Sequence, residues 1–312
     1  MHPSGTPALD FFETHPVFTH AEFVAAHTAR GRSRHTSNGL LQNHLSTGRI
    51  ERIRRGVYAR VRPGTADTSG ATAGATVVRE YPDPYLIASR LSDDAVLSHH
   101  TALELLDCAW SVGYPLRFTT ANRRRPFRYR SIDYVPNQAP LPVRQLSDFG
   151  GGILTVEHRG LPVRVTSVER CLVDLMHDPS RGGGWAEIWR SFSMVELVDV
   201  DLVVELAGLY RCALTAARVG FFLEQHREEW WVDDERLSLL DPLLPRQPIY
   251  LDATRHPGRL ASRWNLVVPE RMLVPQWAEQ DEPQAVDAAR VPRFDRRRLA
   301  WRDDQRAPAL YP

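Results

Sequence analysis

Between His20 and Arg62 the chain places nine arginines against two acidic residues, Glu22 and Glu51, a local charge of 9 − 2 = +7. A segment so one-signed cannot be folded inward, because unpaired buried charges are costly. Its arginines have to spread over a surface while its few apolar residues gather on the other side. The whole chain carries a formal charge of only +1, so the remainder sums to 1 − 7 = −6. A basic head is joined to an acidic body, and that asymmetry constrains the fold more than the average does.

The punctuation inside this window predicts its order of elements. Pro7 suits the first position of a helix through "PALDFFETH", with Thr6 as its cap, and Thr19 can cap a second, "HAEFVAAHTAR", ending near Gly31. A third helix is expected from about Ser33 to Thr47, followed by Gly48 where a helix C-terminal glycine belongs. Two β-prone runs, "RIERI" and "VYARV", are joined by "RRG", so a hairpin turning at Gly56 follows. Three helices and a hairpin are the order of a winged helix-turn-helix, whose last helix enters the major groove while the hairpin touches the neighbouring backbone.

At about 100° per residue, Leu40, Leu41, His44 and Leu45 of the third helix share one side. His35, Gly39, Gln42 and Asn43 fall opposite, with Asn38 on the flank. Asn and Gln are natural bidentate partners of adenine, which makes His35, Asn38, Gln42 and Asn43 the candidate base-reading residues. Gly39 has no side chain to hold the helix off the groove floor. Arg32 and Arg34 at the helix entry and Arg54 and Arg55 at the hairpin tip are the candidate phosphate contacts.

Past residue 62 the pattern changes. Residues 63–81 are rich in Gly, Ala and Thr and read as a linker. Residues 82–180 alternate strand-like and helical runs and read as a mixed α+β domain. Residues 181–274 are mainly helical with a late strand, "NLVVPE", and residues 275–312 form a loose tail rich in Pro and Arg. The expected fold class is α+β: an N-terminal winged helix-turn-helix, a mixed α+β middle domain and a mainly helical extension.

Composition removes several enzyme classes. All 39 basic residues are arginine; there is no lysine. A Walker A loop, the usual protein-kinase core and Schiff-base catalysis each need one. Neither GxSxG nor HExxH occurs, and "RGGGW" lacks nucleotide-loop spacing. The chain is read as not an enzyme, with no cofactor, catalytic residue or metal site. The three cysteines, Cys108, Cys171 and Cys212, are far apart and are expected to be small buried hydrophobes. No apolar run approaches the roughly 20 residues that span a bilayer, and the N-terminus lacks secretory-signal features, so no membrane partner and a cytoplasmic location are expected.

Other motifs are ambiguous. In "SHHTALELL", Ser98 looks like a helix cap, and His99 and His100 point about 100° apart, which favours a structural role over a shared ligand. In "TSVERCLVDLMHDP", Thr166 or Ser167 can cap, Leu172, Leu175 and Met176 form the apolar stripe, and Arg170 and Asp174 are spaced i,i+4 for a pair worth only a few tenths of a kcal/mol if exposed. The run "ANRRRPFRYR" sets Arg123, Arg124 and Arg125 beside Phe127 and Tyr129. It is a further nucleic-acid contact, stacking on bases, or a solvated loop between strands, or a surface that meets an acidic partner. Trp230 and Trp231, in an acidic stretch, are a candidate protein-contact surface.

Three of these stretches carry a family resemblance. "STGRIERIRRGVYARV" resembles the wing of AbiEi-type antitoxins of type IV toxin–antitoxin systems. "DPYLIASRLSDDAVLSHHTALELLD" resembles the opening of their next domain, and "LPVRVTSVERCLVDLMHDP" their later strand-plus-helix signature. The matches run in the family's order over about residues 15–180. The resemblance implies a winged helix that represses its own operon by binding double-stranded operator DNA, and a C-terminal region that counteracts a toxin with a nucleotidyltransferase-like fold. A homodimer on DNA is expected, with half-sites near multiples of about 10 base pairs. The long linker, the longer helical region and the Arg-rich tail depart from shorter family members. A stand-alone regulator is therefore one alternative. A nuclease-like enzyme with a winged-helix targeting domain is another, and it would require a metal-binding carboxylate cluster.

Overall fold

The computed structural model describes residues 7–63, 79–80, 82–274, 293–295 and 300–302. The protein is mixed α+β and divides into two compact units, Met1–Ala95 with Val156–Val163, and Val96–Thr155 with Arg164–Pro312. That division falls at residue 95, whereas the sequence expected a new region from residue 82. No helix among the described residues is long and apolar enough to cross a membrane.

The first unit begins with α1 (Pro7–Thr14), β1 (Val17–Thr19) and α2 (His20–Thr28). Thr19 ends the strand and starts the helix. Its hydroxyl accepts from the Glu22 amide at 3.1 Å, and Glu22 Oε2 accepts from the Thr19 amide at 2.6 Å, a reciprocal cap that fixes where α2 starts. Next come α3 (Arg34–Ser46), capped by the Ser33 hydroxyl, and the hairpin β2 (Ile50–Arg54) and β3 (Val57–Arg60). Gly48 and Gly56 adopt left-handed φ of +68° and +84°, the conformation that the helix exit and the tight turn require. The strands form an antiparallel sheet in the order β1-β3-β2. The sequence reading missed β1, whose three residues are too few to show a period. Thr6, its expected cap for α1, lies outside the described residues.

Under this sheet Phe11, Phe12, Phe18, Phe23, Leu41, Ile50 and Tyr58 make one core. Phe11 meets Phe18 and Phe23 edge-on at 5.2 and 5.4 Å, an arrangement that suits the ring quadrupoles. The short strands β4 (Arg62–Pro63) and β5 (Arg79–Glu80) pair, and residues 64–78 of the expected linker lie outside the described residues. Helix α4 (Pro84–Ser89), capped by Asp83, belongs to the same unit. Arg90 Nε meets Glu22 Oε1 at 3.0 Å and so ties the end of α4 to the cap of α2.

The second unit holds β6 (Val96–Leu97), α5 (His100–Leu105), β7 (Leu116–Thr120), β8 (Phe127–Tyr129), β9 (Ile132–Gln138) and α6 (Leu141–Arg144), with the start of β10 (Ile153–His158) and the end of β11 (Leu161–Thr166), whose residues 156–163 are counted with the first unit. Its sheet runs in the order β10-β11-β6-β7-β9-β8, with β11–β6 and β7–β9 parallel. Helices α7 (Val168–His177), α8 (Trp185–Phe192), α9 (Val200–Leu209), α10 (Ala213–Gln225) and α11 (Asp234–Ser238) follow, then β12 (Ile249–Tyr250), β13 (Arg259–Ala261) and β14 (Leu266–Val268). In the tail the described residues form an antiparallel pair, β15 (Arg293–Asp295) and β16 (Ala300–Arg302).

Several sequence expectations are corrected here. Arg170 and Asp174 pair, Nε to Oδ1 at 3.3 Å, but both are buried. Helix α7 packs on α9 and α10 as well as on α5, so it has no exposed face to spare. Arg170 instead donates to the carbonyls of Phe149 and Gly151 at 2.7 and 3.0 Å, and Tyr210 donates to Asp174. Ser98 does not cap α5, because His99 occupies the cap position with no side-chain cap bond. Trp230 is core, stacked on His226 at 4.5 Å with its indole N–H donating to the Val195 carbonyl, while Trp231 is 74% exposed. Only Cys171 is fully buried; Cys108 and Cys212 are half-buried.

Candidate nucleic-acid interface

The candidate site is the outer face of α3 with the β2–β3 tip. Ser37, Leu41 and His44 turn inward, Leu40 and Leu45 lie half-buried at the edges, and His35, Asn38, Gly39, Gln42 and Asn43 are all exposed. Burial holds the His44 and His27 imidazoles below the ordinary histidine range, so both are neutral parts of the core at pH 7. The outward amides differ in their freedom. His20 Nε2–H donates to Asn38 Oδ1 at 2.8 Å, which orients that amide. The oxygen keeps a second lone pair and the NH₂ both of its donors, enough for a bidentate contact. The Gln42 and Asn43 side chains bond to no other described residue and are unrestrained. A Cβ placed on Gly39 would meet nothing within 4 Å.

The arginines sort by position. Arg34 and Arg55 are exposed; Arg32 and Arg54 are half-buried. Arg32 Nη1 donates to His27 Nδ1 at 3.4 Å, which directs it back toward α2 and adds to the depression of the His27 pKa after burial itself. Strict alternation along β2 would put Arg52 inward beside Ile50. The register breaks between Arg52 and Arg54, so Ile53 returns to the core and Arg52 faces out. Arg30, Arg49 and Arg52 are exposed as well, and the sequence reading counted their charge without giving them roles. A three-residue spacing of Ile50 and Ile53 in a strand was the available signal for the bulge. Arg60 is engaged in an ion pair with Glu13 at 2.6 Å.

Arg123, Arg124 and Arg125 are exposed on the β7–β8 loop of the second unit. The aromatic residue best placed for stacking, Phe127, already stacks on Tyr134 at 4.9 Å, so it offers bases no open ring face on that side. Among the described residues no group of three or more His, Cys, Asp or Glu side chains is placed to hold a metal ion.

No family model matches the chain, and no curated protein does. Among solved structures it is similar to one titled "Crystal structure of RV2827C protein from Mycobacterium tuberculosis", with 16% identity and a TM-score of 0.49 over 88% of this chain and 93% of that one.

Proposed function

We propose that the chain is a DNA-binding regulator whose first unit acts as a winged helix-turn-helix, and that it serves as the antitoxin and autorepressor of a type IV operon. The observation that carries the DNA-binding part is the outer face of α3: two unrestrained amides, one oriented amide and one histidine around a bare glycine, followed by an arginine-tipped hairpin. Apart from the His20–Asn38 bond, the side chains of this face bond to no other described residue. The element order α1-β1-α2-α3-β2-β3 supports the same reading, since it sets the last helix beside a hairpin that can lie along phosphates. The antitoxin part rests on the three quoted sequence stretches and their order. Its implied partners are double-stranded operator DNA and a toxin with a nucleotidyltransferase-like fold, and the expected DNA-bound form is a homodimer.

Separating the two kinds of contact tests the DNA-binding part. The full chain, an Arg54→Ala/Arg55→Ala variant and a Gln42→Ala/Asn43→Ala variant are titrated against the chain's own upstream DNA and a scrambled duplex. The arginine pair should weaken both complexes and lower the salt slope by about 2, because each lost phosphate contact removes about 0.9 from it. The amide pair should weaken the upstream complex alone. Equal loss on both duplexes from both variants would sink the assignment of roles. For the antitoxin part, co-expression should restore growth to cells carrying the neighbouring toxin gene, and failure to do so would leave a regulator only.

A further inference from the structure

The second unit contains a cluster of donors that its fold does not satisfy. His99 sits between β6 and α5 with φ +57° and ψ −136°, a conformation rarely adopted by an L-residue other than glycine, yet it is 3% exposed. That backbone aims a buried imidazole at side chains from two other segments. Nδ1 lies 2.9 Å from Ser98 Oγ and 3.4 Å from Asn137 Nδ2, and Nε2 lies 3.5 Å from Arg181 Nη1. Burial pushes the imidazole down to about 3, so the ring is neutral and has one acceptor nitrogen. Both Asn137 Nδ2 and Arg181 Nη1 are donors. With the proton on Nδ1 the ring donates to Ser98 and accepts from Arg181, leaving the Asn137 N–H unmatched; with the proton on Nε2 that N–H faces Arg181. Flipping the Asn137 amide does not help, because its oxygen accepts from Arg117 Nη1 at 3.4 Å.

The charges point the same way. Asp178 is committed: one oxygen accepts from Arg181 Nε at 2.7 Å and the other from Ser180 at 2.6 Å. Asp174 is committed to Arg170 and Tyr210. Arg117, reaching in from β7, pairs with no carboxylate among the described residues. Burial and the neighbouring Arg181 charge bring its guanidinium down to about 10. Two guanidinium forks and an imidazole thus converge with one carboxylate between them, and the surplus is one positive charge and at least one unmatched N–H.

We propose that His99, Arg117, Arg181 and Asn137 form a binding site for a small phosphate-class oxyanion. Such an ion supplies acceptors out of a single plane, as donors arriving from three segments require, and it matches the forked geometry of arginine. Arg117 and Arg181 are half-buried, and His99 and Asn137 are buried. Donors this buried suit a small molecule or a terminal phosphate group rather than a duplex backbone. It draws on none of the residues assigned above to DNA, so it stands or falls independently of that assignment.

The test uses the full chain carrying Arg54→Ala/Arg55→Ala, which reduces phosphate binding by the basic head. Inorganic phosphate, a nucleoside monophosphate and acetate are each added at matched ionic strength against chloride, with unfolding temperature and ³¹P line width as readouts. Phosphate at about 10 mM should raise the unfolding temperature by about 2 °C or more and broaden the ³¹P line, as expected for a ligand that binds only the folded state. Arg117→Gln and Arg181→Gln should each abolish both effects, and Arg117→Lys, which keeps the charge and loses the fork, should retain part of them. A larger effect of the nucleotide than of phosphate would identify a phosphoryl ligand with a further moiety. An equal effect of acetate, no phosphate effect, or full effects in both glutamine variants would overturn the proposal. The line width decides the matter even where a variant is destabilised, since it is read below the transition.

Discussion

Gly39 offers a substitution whose effects on stability and on binding should have opposite signs. It lies inside the 13-residue helix α3, away from left-handed φ, and an added Cβ would meet nothing within 4 Å. Replacing glycine by alanine inside a helix removes a backbone-entropy cost of about 0.5–1 kcal/mol. Gly39→Ala should therefore stabilise the protein, raising the unfolding temperature of its unit, about 100 residues, by about 2–8 °C. Gly39→Leu should also stabilise it, since leucine is nearly as good a helix former. In the proposed DNA complex the same side chain would stand between α3 and the groove floor. If it lifts the helix enough to lose one bidentate amide–base contact, affinity for the preferred sequence falls by about 1–3 kcal/mol, or roughly 5- to 150-fold. Calorimetry and fluorescence anisotropy on the same samples measure both. A more stable Gly39→Leu variant that binds its upstream DNA as tightly as the original would show that this face does not approach the bases. A less stable Gly39→Ala variant would contradict the helix description itself.

Three further outcomes follow from the second unit. A Cβ at Gly220 would lie 2.1 Å from Trp264 Cζ3, and the fully buried indole is held by Glu224 at 2.7 Å. Gly220→Ala should destabilise by about 1–3 kcal/mol in urea titrations despite its helix propensity, and Trp264→Leu in the same chain should relieve part of the loss. Burial lowers His99 to about 3 and His226 to about 4 in the folded state, so the unfolded chain binds protons first as pH falls. Their contribution is full above about pH 6.5, the unfolded histidine value, and is lost between there and those folded values; His100, raised by Glu104 and Glu187, acts in the opposite sense. His226→Phe, which keeps the stack with Phe222 and Trp230, should flatten the acid limb by up to about 1.4 kcal/mol per pH unit, and an unchanged slope would refute the assignment. Hydrogen bonding to His177 holds the half-buried Cys212 thiol down to about 6, whereas burial pushes the Cys171 thiol far up. Iodoacetamide at pH 7 should label Cys212 well before Cys171, and the reverse order, read by mass spectrometry, would contradict that geometry.

What could be read from the residues alone was local. The Thr19 cap, the start of α3 near Ser33 and the exits at Gly48 and Gly56 all lie within four residues of the structure they specify, and each appears where its chemistry demands. Features set by distant packing were not legible. Arg170 and Asp174 show in the sequence only as an i,i+4 pair; that α9 and α10 bury it is announced by no periodicity in α7. Trp230 and Trp231 are adjacent and chemically alike, yet a left-handed φ of +49° at Trp231 sends one ring inward and leaves the other in water. At the candidate interface, the helical period separated Leu41 and His44 from Gln42 and Asn43. It could not foresee that His20 would orient Asn38 or that Arg32 would turn back toward His27, because both contacts cross between helices. The strained His99 was hidden for the same reason: its partners Asn137 and Arg181 come from segments 38 and 82 residues away.

The most direct test of the account is a mobility-shift titration of the full chain on its own upstream region and on a scrambled duplex at two salt concentrations. The account predicts tight binding that prefers the upstream sequence and weakens steeply with salt on both duplexes, since each phosphate contact proposed for Arg32, Arg34, Arg54 and Arg55 would release counterions. Absence of binding at low salt would contradict it. Salt-insensitive binding would contradict it equally, because arginines that meet no phosphate release no counterions.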